Sequence, residues 1–487
     1  MPTSTETTPL VADSAPEGRP QVHIPKVHDP GAFVLTVCGL VLLGASSSGL
    51  WAIPAIRLVE DIACRTHYGL LDTVSPIDEG LCKADEIQER VAYILAVYTA
   101  IQATVGATCT FPWGIVADRI GRRPVLSIAV IGITLDLLWF AFVCAFPRTL
   151  PLEAIWLGPA MEVIGGGNAV LTAALFSMVS DVVTEEKRTT AFMRAYLSGM
   201  LGNLVAPAVS GGIMDKVGPW FVVRLAIGGF LLLAVAVHIL LEVKPASKEP
   251  QDHVAEQAPS KHGVVGAIEN ALVRIRESLA VFQSPSLVLL LLASLAVFPL
   301  AQSAMQLMSQ LASKRYHISL AQTGYLSSLY GFATAISILW ILPAVASFLA
   351  APARIPNSRQ RDLFLIRASS VVLLIGSSVM STAPNLGTFI LGLAILSLGA
   401  GWGSHLRSLA TIYVDAAHRT RLYSIMSIVE TVGNVYAQPM LAALFTAGMK
   451  LGHFWIGLPY LGIALLVALA LALLLLVRLP SEDADEE

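Results

Sequence analysis

The sequence predicts an all-α membrane protein with twelve transmembrane helices in two six-helix bundles. Three observations predict it. Apolar residues make up 55% of the 487 residues, while Asp, Glu, Lys and Arg make up only 13%, about half the usual share near 25% in soluble domains. The apolar residues gather in runs that reach the roughly 20 residues a spanning helix needs. One polar stretch divides these runs into six and six. Such a chain requires a lipid bilayer, which excludes a soluble enzyme and a disordered regulator. The 31 Lys and Arg against 34 Asp and Glu give a net charge of -3, so no basic footprint for nucleic acid exists. Five Cys are too few for a disulfide-built scaffold.

The elements follow in order. Residues 1–31 carry Ser, Thr, Pro, Glu and Asp without an apolar run, and are expected to form a disordered cytoplasmic tail rather than a secretory signal. Residues 32–242 are expected to form the N-terminal bundle, with spans near 32–56, 91–113, 124–146, 154–180, 190–213 and 218–241. A polar segment, 57–90, separates the first two spans, and a tight basic turn, Gly114 to Arg123, separates the second and third. Residues 243–285 read as a polar cytoplasmic linker. Within it Val264, Ile268, Leu272, Ile275 and Leu279 recur at helical spacing, as in an amphipathic helix lying on the membrane or packed on a loop. Residues 286–478 are expected to form the C-terminal bundle, with spans near 286–311, 320–348, 363–383, 386–412, 422–446 and 453–477, before an acidic cytoplasmic tail at 479–487. Two six-helix halves around a central linker have the pattern of a duplicated unit.

Lys and Arg bias sets the expected orientation. Arg119, Arg122, Arg123, Lys187, Arg188, Arg194, Arg354, Arg359, Arg361, Arg419 and Arg421 share one side with the linker. The largest segment on the other side, 57–90, has eight acids against four bases. Both termini are therefore expected to be cytoplasmic.

Between spans 2 and 3 stands Gly114-Ile115-Val116-Ala117-Asp118-Arg119-Ile120-Gly121-Arg122-Arg123. Gly114 removes a side chain where two helices can approach, and Gly121 permits a tight turn. Asp118 can meet a helix N-terminus or an arginine, and Arg119, Arg122 and Arg123 keep the loop on the cytoplasmic side. This G-x3-D-R-x-G-R-R pattern resembles the signature loop of the major facilitator superfamily, and sits where that superfamily puts it. The resemblance implies a rocker-switch transporter in which Asp118 holds the two halves together in the outward-open state. In the second half, Ala350 to Arg361 keeps Arg354, Arg359 and Arg361 but lacks the G-x3-D-R core. Span 5 reads Gly199-Met200-Leu201-Gly202-Asn203-Leu204-Val205-Ala206-Pro207-Ala208-Val209-Ser210-Gly211-Gly212. It resembles the superfamily's antiporter motif, with Ala206 and Ser210 where glycines are expected. The alternative is generic small-residue packing. Cys64 and Cys82 with their basic neighbours, Gly165-Gly166-Gly167, Ser180-Asp181 and Gly457-Leu458-Pro459 are similar to a fungal branch related to tetracycline-efflux and proton-coupled folate transporters.

Polar groups inside spans need a reason, because hydrocarbon penalises them. Glu162 in span 4 is a candidate carrier of a coupled proton, since low dielectric disfavours a charged carboxylate; the alternative is a structural hydrogen bond. Asp136, in span 3, is expected to be structural, with a coupling role as the lesser reading. Glu430, Asn434 and Gln438 share one face of span 11 at steps of four. Glu430 stands at the depth of Arg407 and can pair with it, and it is a further candidate carrier of the coupled proton. Gln302, Gln306 and Gln310 share a face of span 7 and are expected to line a cavity or bond neighbouring helices. Asn203, Trp51, Tyr325 and Tyr330 are further cavity candidates. Cys64 and Cys82 alone of the five Cys fall in the outer loop, where an oxidising environment can bridge them.

No G-x4-G-K-[ST], H-E-x-x-H or Cys/His cluster with metal spacing occurs. No catalytic, metal or cofactor site is therefore expected. The reading is a secondary active transporter that moves a small organic substrate with protons by alternating access, acting as a monomer. Export is expected; a proton-coupled importer is the alternative within transport. A transporter-like sensor is the alternative from another class, opposed by short tails and linker. The plasma membrane is expected, while Glu6-Thr7-Thr8-Pro9-Leu10-Val11 resembles a sorting signal to the vacuolar membrane.

Overall fold

The computed structural model describes residues 30–72, 77–183, 185–240, 284–350, 355, 357–414 and 419–479. The expected amphipathic helix, most of both tails and the linker lie outside these residues, as do the side chains of Asp118, Gln302 and Gln306.

Every described element is helical, and each expected span position carries helix. In the first half these are α1 (Pro30–His67), α2 (Asp85–Ile120), α3 (Arg122–Ala145), α4 (Gly158–Met161), α5 (Gly167–Val182), α6 (Glu185–Val217) and α7 (Pro219–Leu240). In the second they are α8 (Pro285–Tyr316), α9 (Leu320–Ile336), α10 (Leu342–Leu349), α11 (Ser358–Thr382), α12 (Leu386–Leu398), α13 (Trp402–Ile412), α14 (Arg419–Leu451) and α15 (Leu458–Leu476). Among the described residues, 9 helical stretches are long and apolar enough to cross a membrane, and two shorter apolar ones, Gly167–Ser180 and Pro285–Val297, accompany them.

Three boundaries differ from the expected ones. The polar segment after span 1 is half helical, since α1 continues to His67 and α2 begins at Asp85. Charge does not end a helix that has left the hydrocarbon. The basic turn is a single residue: α2 runs to Ile120, and Gly121 at φ 94° alone reverses the chain before Arg122. Spans 4 and 10 are each broken rather than continuous. Span 4 unwinds between Met161 and Gly167, where Gly165, Gly166 and Gly167 all have positive φ. These left-handed conformations are open to glycine at no steric cost. Span 10 breaks between Leu398 and Trp402, a stretch containing Gly399 and Gly401. The breaks fall at spans 4 and 10, the fourth expected span of each half.

Several long helices carry an internal proline, among them Pro54 in α1, Pro112 in α2, Pro207 in α6 and Pro439 in α14. Proline removes one backbone hydrogen bond and bends the helix. In α1 the carbonyl left over by Pro54 is that of Leu50, and Ser210 of α6 donates its hydroxyl to it at 3.1 Å. This gives Ser210 a function at the position where the antiporter motif has glycine. Gly202 packs against the α1 backbone near Ala45, and Gly211 against the carbonyl of Ala321 on α9. The small-residue stretch of α6 therefore joins α1 on one side and the opposite half on the other.

The polar contacts described between the halves lie midway or at the end that holds Cys64 and Cys82. These two are disulfide-bonded, with Cα atoms 5.2 Å apart and 18 residues between them in sequence. Behind the bridge, Glu60 accepts from Lys83 Nζ and Gln88 Nε2, each at 2.6 Å, and from Arg57 at 2.8 Å. A buried carboxylate with three donors is satisfied. This cluster presents Glu79 and Asp85 to the second half. Glu79 accepts the backbone N–H of Leu320 at 2.8 Å, and Asp85 meets Lys314 at 2.5 Å. Lys314 also donates to the Lys83 carbonyl, and Lys450 reaches Glu89 at 3.3 Å. Replacing Cys64 and Cys82 by Ser is expected to lower thermal stability by about 3 kcal/mol, since the bridge closes a loop of roughly 18 residues. Unfolding in lipid with and without reductant measures it. An unchanged midpoint in the variant refutes the contribution.

Candidate functional site

Between the halves lies a chamber of about 2430 Å³. Its wall on α2 runs from Ala92 to Ile115, away from the disulfide end and toward the turn at Gly121. On α14 it is bounded by Ile428, Glu430, Thr431, Asn434 and Gln438. The halves meet at the disulfide end and part toward the other.

Most cavity candidates from the sequence stand at this wall, namely Trp51, Asn203, Gln310, Tyr330, Asn434 and Gln438, together with the proton-coupling candidates Glu162 and Glu430. Trp51 is held edge-on by Phe140, ring centres 5.1 Å apart. The Nε2 of Gln310 is buried without a partner, so one side-chain donor there is unspent. Three expectations need correction. Arg407 is not at the wall: it lies outside, half exposed, and its guanidinium holds Glu430 at 3.0 Å. Tyr325 is also off the wall and exposed, because α9 turns that face away while its hydroxyl side lies beside Gly212. Gly114 lets no helix approach here; a methyl group there would meet nothing within 4 Å. It faces the chamber because the halves are apart at that end.

The remainder of the signature loop is anchored inside the first half. Arg122 donates to the Ser177 carbonyl at 2.6 Å, and Arg123 to that of His238. His238 lies in the last turn of α7, where carbonyls lack intrahelical partners and favour cations, while Ser177 lies within α5. The turn is thereby tied to α5 and α7.

Two of the buried acids of the first half, Asp136 and Glu162, come together. Tyr98 donates to Asp136 Oδ2 at 2.5 Å. The Gln102 amide donates to Glu162 Oε1 at 2.8 Å and reaches Asp136 Oδ2 at 3.5 Å. Asp136 is 0% exposed and Glu162 2%. Glu162 sits where α4 ends and the chain unwinds, not within a continuous helix as its position in span 4 implied. The break is what lets α3 press in: side chains on Gly165 would strike the Ala129 backbone, and on Gly167 the Glu162 carboxylate. Unwinding frees backbone groups, which a membrane interior requires to be satisfied. The Gly166 N–H bonds the Glu162 carbonyl at 2.8 Å, and Trp113 Nε1 donates to that of Val163 at 2.9 Å.

Sequence reasoning missed Tyr98, Gln102 and Trp113. Tyr98 and Gln102 are four apart on span 2, a spacing that puts two polar side chains on one helical face, so the signal was present. Asp362 was also missed; it holds His405 at 3.2 Å and Ser408 at 2.6 Å beside the Arg407–Glu430 pair.

A two-bundle helical fold around a chamber closed at one end, with Glu162 at its wall sharing the Gln102 amide with Asp136 behind it, is the arrangement of a membrane transporter. Residues 84–438 match the family model of the Major Facilitator Superfamily, and the chain belongs to that superfamily. It is 30% identical to the "MFS efflux pump atnC" of Emericella nidulans, covering 97% of this chain and 95% of that one. It is 28% identical to the "Efflux pump ustT" of Aspergillus flavus, over 94% and 90% of the two chains. The fold is shared with the crystal structure of a D-xylose–proton symporter, with a TM-score of 0.62, 13% identity, and 93% and 98% of the chains covered. The protein is thus a multi-pass membrane transporter of small molecules and not an enzyme, with the resemblance to fungal members of the superfamily upheld.

Proposed function

We propose that this protein is a proton-coupled exporter working by alternating access as a monomer, in the plasma membrane with both termini cytoplasmic. The observation that carries the proton reading is the carboxyl pair, Asp136 and Glu162, joined by Gln102 at the chamber wall. Two like charges this close and this buried oppose each other, so a shared proton stabilises the pair. Release of that proton changes what Glu162 offers the chamber. Export is supported by two relatives named efflux pumps. In the orientation set by Lys and Arg, the conformation described above is open inward, ready to take substrate from the cytoplasm. Substrate-dependent proton flux in liposomes tests the reading. Flux in opposite senses supports antiport, flux in the same sense turns the assignment to import, and no flux overturns proton coupling.

The signature loop supplies the second half of the cycle. On the family resemblance, Asp118 ties the halves together at the cytoplasmic end once the chamber opens outward. Asp118→Asn is expected to weaken that tie by about 1–2 kcal/mol. Transport per molecule should fall while membrane abundance is kept; rates and abundance measured on the same liposomes check it, and unchanged transport refutes the role.

A further inference from the structure

The charge of the chamber wall points to the substrate class. Among the described residues that line it, the charged ones are Glu162 and Glu430, and none is Lys, Arg or His. Glu430 has its countercharge in Arg407 at 3.0 Å, outside the wall. Glu162 has a neutral amide, that of Gln102. The excess charge of the wall is therefore negative and centred on the broken helix. Around it stand aromatic rings: Trp51, Phe111 and Tyr196 line the chamber, with Tyr98 and Phe140 buried behind them. Phe111 and Tyr196 are each more than half exposed. The faces of such rings are electronegative and attract cations. An organic anion entering this chamber meets repulsion and finds no countercharge, which selects against it.

We propose that the chamber takes lipophilic organic cations, protonated amines among them, with the positive charge seated toward Glu162 and the apolar body against the aromatic wall. The inference rests on the transport reading above and goes further, because it makes proton and substrate competitors for one carboxylate. Loading the cation then displaces the proton, and protonation releases the cation, without direct contact between the two ligands.

Tetraphenylphosphonium and tetraphenylborate share one shape and carry opposite charges. Their binding to the full-length protein in lipid nanodiscs, with empty nanodiscs as blank, separates charge from fit. The phosphonium is expected to bind at least about tenfold more tightly than the borate, and about tenfold more tightly at pH 8 than at pH 5.5. In Glu162→Gln both the pH dependence and most of the charge preference should vanish, with the borate bound no worse. No phosphonium binding, equal binding of both probes, preference for the borate, or a preference that survives in Glu162→Gln overturns the inference. A neutral compound exchanged for protons in liposomes without competition from the phosphonium sinks the substrate class and leaves proton coupling standing. Cation preference without proton flux does the reverse.

Discussion

Glu162→Gln is expected to lose accumulation of substrate driven by a pH step, while exchange of substrate for substrate continues. The amide keeps the shape of the side chain and much of its hydrogen bonding, and it copies the protonated acid permanently. Gln102 Nε2 still finds an oxygen where Glu162 Oε1 now lies at 2.8 Å. The chamber therefore persists, and so does movement between its two states. What disappears is the change of charge that links the cycle to the proton gradient. A Glu162 that served only structure predicts the opposite: less folded protein, with normal coupling in what remains. Uptake after a pH step and counterflow, measured in the same liposomes, decide between them. Preserved pH-driven accumulation would sink the role. Asp136 is the next candidate, because it shares Gln102 and is the more deeply buried of the two.

Lys314→Ala is expected to open the disulfide end. Lys314 stands at the end of α8 and joins the halves twice, through Asp85 at 2.5 Å and through the Lys83 carbonyl. Asp85 is exposed, which discounts the ion pair, but the bond to the carbonyl comes from a largely buried ammonium. Losing both should cost the closed state about 1–2 kcal/mol, a shift of roughly 5- to 30-fold in the equilibrium between closed and open. Glu79 makes a separate tie: its carboxylate accepts the first N–H of α9, a helix end that favours an anion. For that reason closure should weaken rather than fail. Spin labels at exposed Leu81 and Leu451, with Cys38, Cys109 and Cys144 replaced, report the distance across this end. A longer distance is expected in Lys314→Ala and little change in Lys314→Arg. An unaltered distribution in Lys314→Ala refutes the latch.

The bundle architecture could be read from the chain because hydrocarbon imposes a length and a composition on each span, and both are local properties. The turn at Gly121, the anchoring arginines and the family were legible for the same reason: each is written in consecutive residues. Individual acids were legible as anomalies, since Asp136, Glu162 and Glu430 are costly wherever a span puts them. Their partners were not, with the exception of Arg407, whose depth beside Glu430 follows from counting along two helices. Tyr98 and Gln102 lie 38 and 60 residues from the carboxylates that they hold. No periodicity within one helix says which neighbour it will face.

The break in span 4 was half legible. Three consecutive glycines were visible, but an apolar helix tolerates them until a neighbour presses close, and the neighbour is the backbone of α3 at Ala129. The conformation itself is tertiary in origin. Whether Gly114 touches a helix or faces open space depends on how the two halves tilt, and the same residues serve both states. The sequence alone determined where the apolar helices lie and the family, because these follow from residue type against lipid and water. Only the tertiary structure decided that Asp136 and Glu162 share the Gln102 amide, that Arg407 stays outside the chamber wall, and that Glu79 and Lys314 tie the halves at the disulfide end. Those outcomes depend on distances between helices remote in the chain, which packing sets and no local pattern encodes.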